Sequence, residues 1–210
     1  MSDNLPQTVD IRKQRREFTR QAILNAALAL ITRRGLHNLS LREIARQVEY
    51  SPAGLYEYFD SKEAIIQALS DAGDALLKDR LAQVPSDLPP DGRLVALGLA
   101  YIDFARTQPE YFQLMFSELT TRRTSLNDPV QEDKPYYFVA EAVQEGIDQA
   151  LFQTGPGYGV GEITYGLWSL VHGAATLQLR KLRGHQDDFS AIDRAVLDTF
   201  IQGLGKRNEP

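Results

Sequence analysis

The residues best equipped for chemistry in this chain crowd into one stretch, Ser40 to Lys62. It supplies hydroxyls (Ser40, Ser51, Tyr56, Tyr58), cations (Arg42, Lys62) and two very small residues in sequence, Ala53 and Gly54. Hydroxyl and ammonium groups hold phosphate oxygens and fix register without reading sequence. A guanidinium such as that of Arg42 forms a bidentate pair with a guanine edge. Ala53 and Gly54 let a backbone come close, for instance to a thymine methyl. Lys62, at a helix start, can join backbone amides around a phosphate. Nothing comparable points to catalysis. The chain has no cysteine, and its histidines, His37, His172 and His185, do not have metal-ligand spacing. No nucleophile elbow or Walker-type loop occurs. The run Gly155-Pro-Gly-Tyr-Gly-Val-Gly161 follows a helical pattern, contains Pro156 and lacks dinucleotide-loop spacing, so it reads as a plain loop. No metal, cofactor or enzymatic activity is expected.

These groups need short, well-ended helices to hold them. Ser40 reads as an N-cap with Glu43 completing a capping box, opening a helix over 41–48 with Ile44, Ala45 and Val48 inward. Ser51 and Pro52 suit an N-cap and first helical position for a second helix over 52–59, with Leu55 and Phe59 four apart on its inner side. That leaves its small N-terminal residues and Tyr56 outward, the end a recognition helix presents to base edges. A long first helix over 11–34 carries Phe18, Ile23, Ala26, Ala27, Leu30 and Ile31 on one face and is closed by Gly35. Asp60 or Ser61 caps a helix reaching about residue 83. Charge follows the same division: residues 1–62 carry a net +3, whereas the whole chain carries −5. A basic end can face phosphates while an acidic body stays in solvent. Arg12, Lys13, Arg15 and Arg16 read either as an arm on the DNA backbone or minor groove, or as a solvated tail.

The stretch from Ser40 through Leu55-Tyr-Glu-Tyr-Phe59 and Ser61-Lys-Glu63, with Ala26, Ala27, Leu30 and Gly35, resembles the TetR family of regulators. The resemblance covers about residues 15–70. It implies an all-α protein of about nine helices: a three-helix helix-turn-helix head and a larger helical ligand-binding and dimerisation domain. It also implies that Ser40, Arg42, Ser51, Ala53, Gly54, Tyr56, Tyr58 and Lys62 face DNA. Two positions depart from the family pattern. Glu49 stands where a turn glycine is usual, so a positive φ there would cost about 1 kcal/mol. Glu57 puts a negative charge near the expected phosphates.

The breaker Pro85 to Gly92 separates the remaining helices, expected at about 93–107, 109–117, 130–153, 160–183 and 190–204. Large rings are unusually dense here. Tyr101, Phe104, Phe112, Met115, Phe116, Tyr137, Trp168 and His172 form the expected ligand-contacting set, with core packing or a plain interface histidine as the competing reading. Gly166-Leu-Trp168-Ser-Leu-Val-His172-Gly173 is similar to the Trp-His-Gly class of C-terminal domain in the same family. The likeness implies a homodimer through the helices at 160–183 and 190–204, placing two recognition helices on a pseudo-palindromic operator.

The resulting expectation is a DNA-binding domain at 10–62 and a ligand-binding and dimerisation domain at 63–206. Its function would be a ligand-responsive transcription regulator, a repressor released by a small apolar or aromatic effector. The alternative is a DNA-binding regulator without small-molecule control. A polar start without an apolar signal core, and no apolar run near membrane length, point to the cytoplasm and away from the membrane.

Overall fold

The computed structural model describes residues 11–118 and 134–205. Among the described residues the secondary structure is helical: α1 (Ile11–Arg34), a 3-10 turn (Leu36–Asn38), α2 (Leu41–Gln47), α3 (Pro52–Leu55), α4 (Lys62–Leu81), α5 (Pro90–Thr107), α6 (Pro109–Met115), α7 (Pro135–Asp148), α8 (Val160–Leu179) and α9 (Phe189–Gln202). The chain divides into two compact units: one division falls inside α4, between Ser70 and Asp71, and a second after Phe116, so that Ser117 belongs with the first unit.

In the first unit Ile23, Leu24, Ala26, Ala27, Leu30 and Ile31 of α1 are buried, as are Ile44, Ala45, Leu55, Phe59, Ile65 and Ile66, with α1 packed on α2 and α2 on α3. Alanines at 26, 27 and 45 let these short helices approach closely. Gly35 ends α1 at φ 81°, donating its N–H to Ile31 O at 2.8 Å. Phe18, expected inward, is instead 78% exposed, because it lies at the N-terminal end of α1 beyond the reach of the helical core.

The ends of α2 and α3 differ from expectation in instructive ways. Ser40 occupies the N-cap of α2 with extended backbone, but its side chain makes no cap bond. Glu43 is drawn away to an ion pair with Arg34, so the capping box does not form. Glu49 does take a positive φ of 59°. It closes α2 with Tyr50 N–H donating to Ala45 O at 2.9 Å, the six-to-one bond of a left-handed helix terminus. Ser51 caps α3 as expected, its Oγ accepting from Gly54 N–H at 3.0 Å. The α-helical part of α3 then lasts only to Leu55, and three-residue turns carry the chain to Tyr58.

The second unit packs α5 against α7, α8 and α9 around Leu94, Leu97, Phe104, Val143, Ile163, Leu167, Val171, Leu197 and Ile201. α5 begins at Pro90, earlier than the expected 93, with Pro89 supplying the N-cap carbonyl to Arg93 N–H at 2.8 Å. Arg93 is buried and bridges α5 to α7, donating to Glu141 at 2.5 Å and to Glu145 at 3.0 Å. α7 stops at Asp148, short of the expected 153, because Ala150 turns left-handed at φ 54° and Phe152 folds its ring back over Gly146. α8 likewise ends at Leu179, before the expected 183, and turns carry the chain on. The glycine-rich stretch is a loop, with Gly155 and Tyr158 exchanging backbone bonds at 2.9 Å around Pro156 and Gly157. The expected helix start near residue 130 lies outside the described residues.

Candidate DNA interface and effector site

The expected DNA-facing residues sit on the outer surface of α2, α3 and the first turn of α4. Arg42, Ser51, Ala53 and Tyr56 are exposed, and Ser40, Gly54, Tyr58 and Lys62 half-buried. Two of them also serve the head internally. A Cβ on Gly54 would lie 3.3 Å from both Ser51 Oγ and Tyr50 Cδ1, so small size at 54 is needed for packing as well as for approach. Tyr58 stands edge-on to Tyr50, with ring centroids 5.9 Å apart. The Tyr50 hydroxyl is held below the ordinary tyrosine range by hydrogen bonds with Thr19 and Tyr58, while Tyr58 is raised by its bond with Tyr50. Ser61 Oγ accepts from Ala64 N–H at 3.0 Å and so is the cap that positions Lys62.

Some of the residues that hold this surface rigid were not evident from the motif. Arg16 donates to Glu57 O at 3.2 Å, and Arg20 to Tyr58 O at 3.4 Å. Arg20 also lies over the Phe59 ring, 4.3 Å from its centroid. The turns that leave α3 are thereby tied to α1. Arg12, Arg15 and Arg16 belong to the first turns of α1 and line an open groove of about 770 Å³ with Phe18, Tyr50 and Tyr58.

Of the expected ligand-contacting set, the second unit brings five together. Phe112 stacks on His172 at 5.2 Å, Phe116 meets it edge-on at 4.5 Å, and Trp168 lies 6.3 Å from it. Tyr101 packs against Phe112 at 5.8 Å. Its hydroxyl is within 3.0 Å of His172 Nδ1 and accepts from Trp168 Nε1 at 3.3 Å. Burial pushes the Tyr101 hydroxyl well above its usual range, opposed by the Trp168 bond, and lowers His172 below 6.5. Phe104, Met115 and Tyr137 are placed elsewhere. Phe104 is sealed in the core at 1% exposure, Met115 packs on Gly73 of α4, and Tyr137 turns to Glu141 at 3.3 Å. Tyr136 and Tyr165, edge-on to Trp168 at 6.3 and 6.5 Å, join the cluster. Thr164, one turn before Trp168, is fully buried; its spacing from Trp168 and His172 was the signal that could have found it.

The helices expected to meet a second copy sort into two faces. Ile163, Leu167, Val171, Leu197, Ile201 and Leu204 are buried within their own chain. Tyr165, Leu177, Ile192 and Val196 remain 42–52% exposed, and a Cβ on Gly173 would meet nothing within 4 Å.

Comparison with known proteins gives the same arrangement. The pattern for bacterial regulatory proteins of the tetR family matches residues 23–69. That for a tetracyclin repressor-like C-terminal domain matches residues 94–200. An HTH-type transcriptional regulator of Bacillus subtilis, YobS, itself uncharacterized, is 24% identical over 189 residues, covering 89% of this chain and 93% of its own. A Rhodococcus sp. RHA1 protein of unknown function shares the fold at a TM-score of 0.72 and 23% identity, over 90% of this chain and 96% of that one. RolR, solved with resorcinol bound, does so at 0.60 and 19% identity, over 93% and 92%.

Proposed function

This chain belongs to the tetR family of bacterial regulatory proteins and is a DNA-binding transcriptional regulator, and from that premise we propose that it is a dimeric repressor released by a small effector. The observation that carries the effector half is the half-buried ring cluster around His172, polar at its centre and rimmed by partly exposed aromatics. That a protein of the same fold, RolR, was solved with resorcinol supports an aromatic effector.

In this reading Arg42 reads a base, Ser40, Ser51, Tyr56, Tyr58 and Lys62 hold phosphates, and Ala53 and Gly54 allow close approach. The domain organisation follows as a DNA-binding head at 10–62 and an effector and dimerisation body at 63–206. Dimerisation uses the exposed faces of α8 and α9, where Leu177, Ile192 and Val196 leave apolar area in water. A twofold axis then sets two heads on successive major-groove faces, about 34–36 Å apart.

The link between the two functions runs through α6. Phe112 and Phe116 touch His172, and Met115 and Tyr111 of the same segment crowd Gly73 of α4. A Cβ there would lie 2.8 Å from Met115 Sδ. An effector that displaces Phe116 moves α6 against α4, and α4 continues to Lys62. Only a difference in effector affinity between the DNA-competent and released states can drive this, with a coupling of typically about 1–3 kcal/mol. The test is operator binding measured with and without aromatic compounds. Loss of affinity in their presence is expected. Affinity that ignores every compound found to bind the body would favour the alternative, a regulator without small-molecule control.

A further inference from the structure

Thr164, Trp168 and His172 recur every fourth residue along α8 and so share one stripe of the helix. The protein satisfies them unequally. An indole N–H can only donate, so the Tyr101 oxygen accepts from Trp168 Nε1, and the arrangement that also gives the buried phenol proton an acceptor directs it to His172 Nδ1. The ring proton of the neutral imidazole is thereby placed on Nε2, which finds no acceptor among the described residues. Thr164 is 0% exposed, and its hydroxyl has no hydrogen-bond partner among the described residues. The Tyr136 hydroxyl is a polar neighbour whose contact with Thr164 opposes the burial-driven rise of the phenol, yet it does not reach hydrogen-bond geometry with the threonine hydroxyl. Buried polar groups are seldom left so. Phe116, 39% exposed, packs beside the stripe, with its ring 4.5 Å from His172 and 6.3 Å from Trp168. The charge felt at this end is Glu162, acting on Tyr136, which disfavours an anion; the Nε2–H donor disfavours a cation.

The geometry points to His172 and Thr164 as the two polar anchors of a neutral aromatic ligand, a deepening that rests on the effector reading above. A phenolic or carbonyl oxygen accepts from His172 Nε2–H, the ring lies against Phe116 and Trp168, and a second polar atom pairs with the Thr164 hydroxyl. Two helical turns separate the anchors by about 12 Å along α8, so the ligand carries its polar atoms at opposite ends.

Trp168 is the single tryptophan, so its one indole N–H signal in a nitrogen–proton NMR spectrum of the full chain reports on this site. Titration with toluene, phenol, catechol and hydroquinone should show phenol binding about tenfold tighter than toluene, the worth of one good hydrogen bond. Hydroquinone, with opposed hydroxyls, should exceed catechol by several fold. His172→Phe should bring phenol down to toluene, and His172→Gln, which keeps an N–H donor, should restore the preference if the ring swap disturbs folding. Thr164→Val should erase the hydroquinone advantage and leave phenol unchanged. No preference for phenol over toluene, a preference that survives His172→Phe, or tightest binding by benzoate or benzyltrimethylammonium would each overturn the proposal. The expected binding pattern with unchanged operator affinity would uphold these anchors and remove the effector control.

Discussion

Glu49 and Ala150 hold left-handed backbone at φ 59° and 54°, each closing a helix at a position that glycine fills at lower cost. Glu49→Gly and Ala150→Gly should each stabilise the fold by about 0.5–1 kcal/mol in denaturant melts, the relieved strain being partly offset by unfolded-chain entropy. On the DNA face, Arg42→Ala should cost about 1–3 kcal/mol and relax preference at one base pair. Lys62→Ala should weaken all sequences alike and lower the salt slope by about 1. His172 adds a pH dependence. Its folded pKa is depressed by burial, so the unfolded imidazole takes its proton first as pH falls below 6.5. Stability contributed by neutral His172 is therefore complete above that pH and declines beneath it, and His172→Phe should flatten this part of a melt series. The left-handed turn at Glu49 could be seen in the sequence because a motif position fixed it. The Arg34–Glu43 pair that cancels the capping box could not, since it depends on where the end of α1 lies relative to α2.

Helix ends and close contacts decide how the elements hold the sites. Ser51 and Ser61 each accept a backbone N–H at 3.0 Å, and replacing either with alanine should cost about 1 kcal/mol. Gly146 is tighter still: a Cβ would lie 2.0 Å from the Phe152 ring, so Gly146→Ala should destabilise by about 1–3 kcal/mol. Gly73→Ala tests the α6–α4 contact differently. Because the clash falls on the flexible Met115 side chain, the fold should survive while operator affinity drops without effector, as measured by fluorescence anisotropy. Periodicity made the helices legible, and serine and proline marked the starts of α3 and α4. Periodicity said nothing about which aromatic faces inward. Phe18 matches the pattern of a buried residue yet is exposed, and Phe104 matches that of a ligand contact yet is sealed in the core. Those outcomes are set by neighbours distant in sequence.

For the whole molecule, a basic head and an acidic body are joined through one continuous helix, α4, and the regulator's family is carried by both halves. The proposed twofold assembly leaves Leu177 and Val196 at its centre, so Leu177→Glu with Val196→Glu should shift the sedimenting species to monomer and weaken operator binding. The head's family was legible because the residues that carry it, and the proposed DNA contacts, come from one contiguous stretch. The proposed effector site was less so, because Tyr101 of α5, which meets the anchor His172 of α8, is brought to it across 71 residues. The most direct test of the central claim is selection of duplexes from a random pool by the purified full-length protein. Enrichment of a pseudo-palindrome with half-sites about one helical turn apart is expected, lost in Arg42→Ala. A selected pool with no shared motif, bound no better than random DNA, would contradict it.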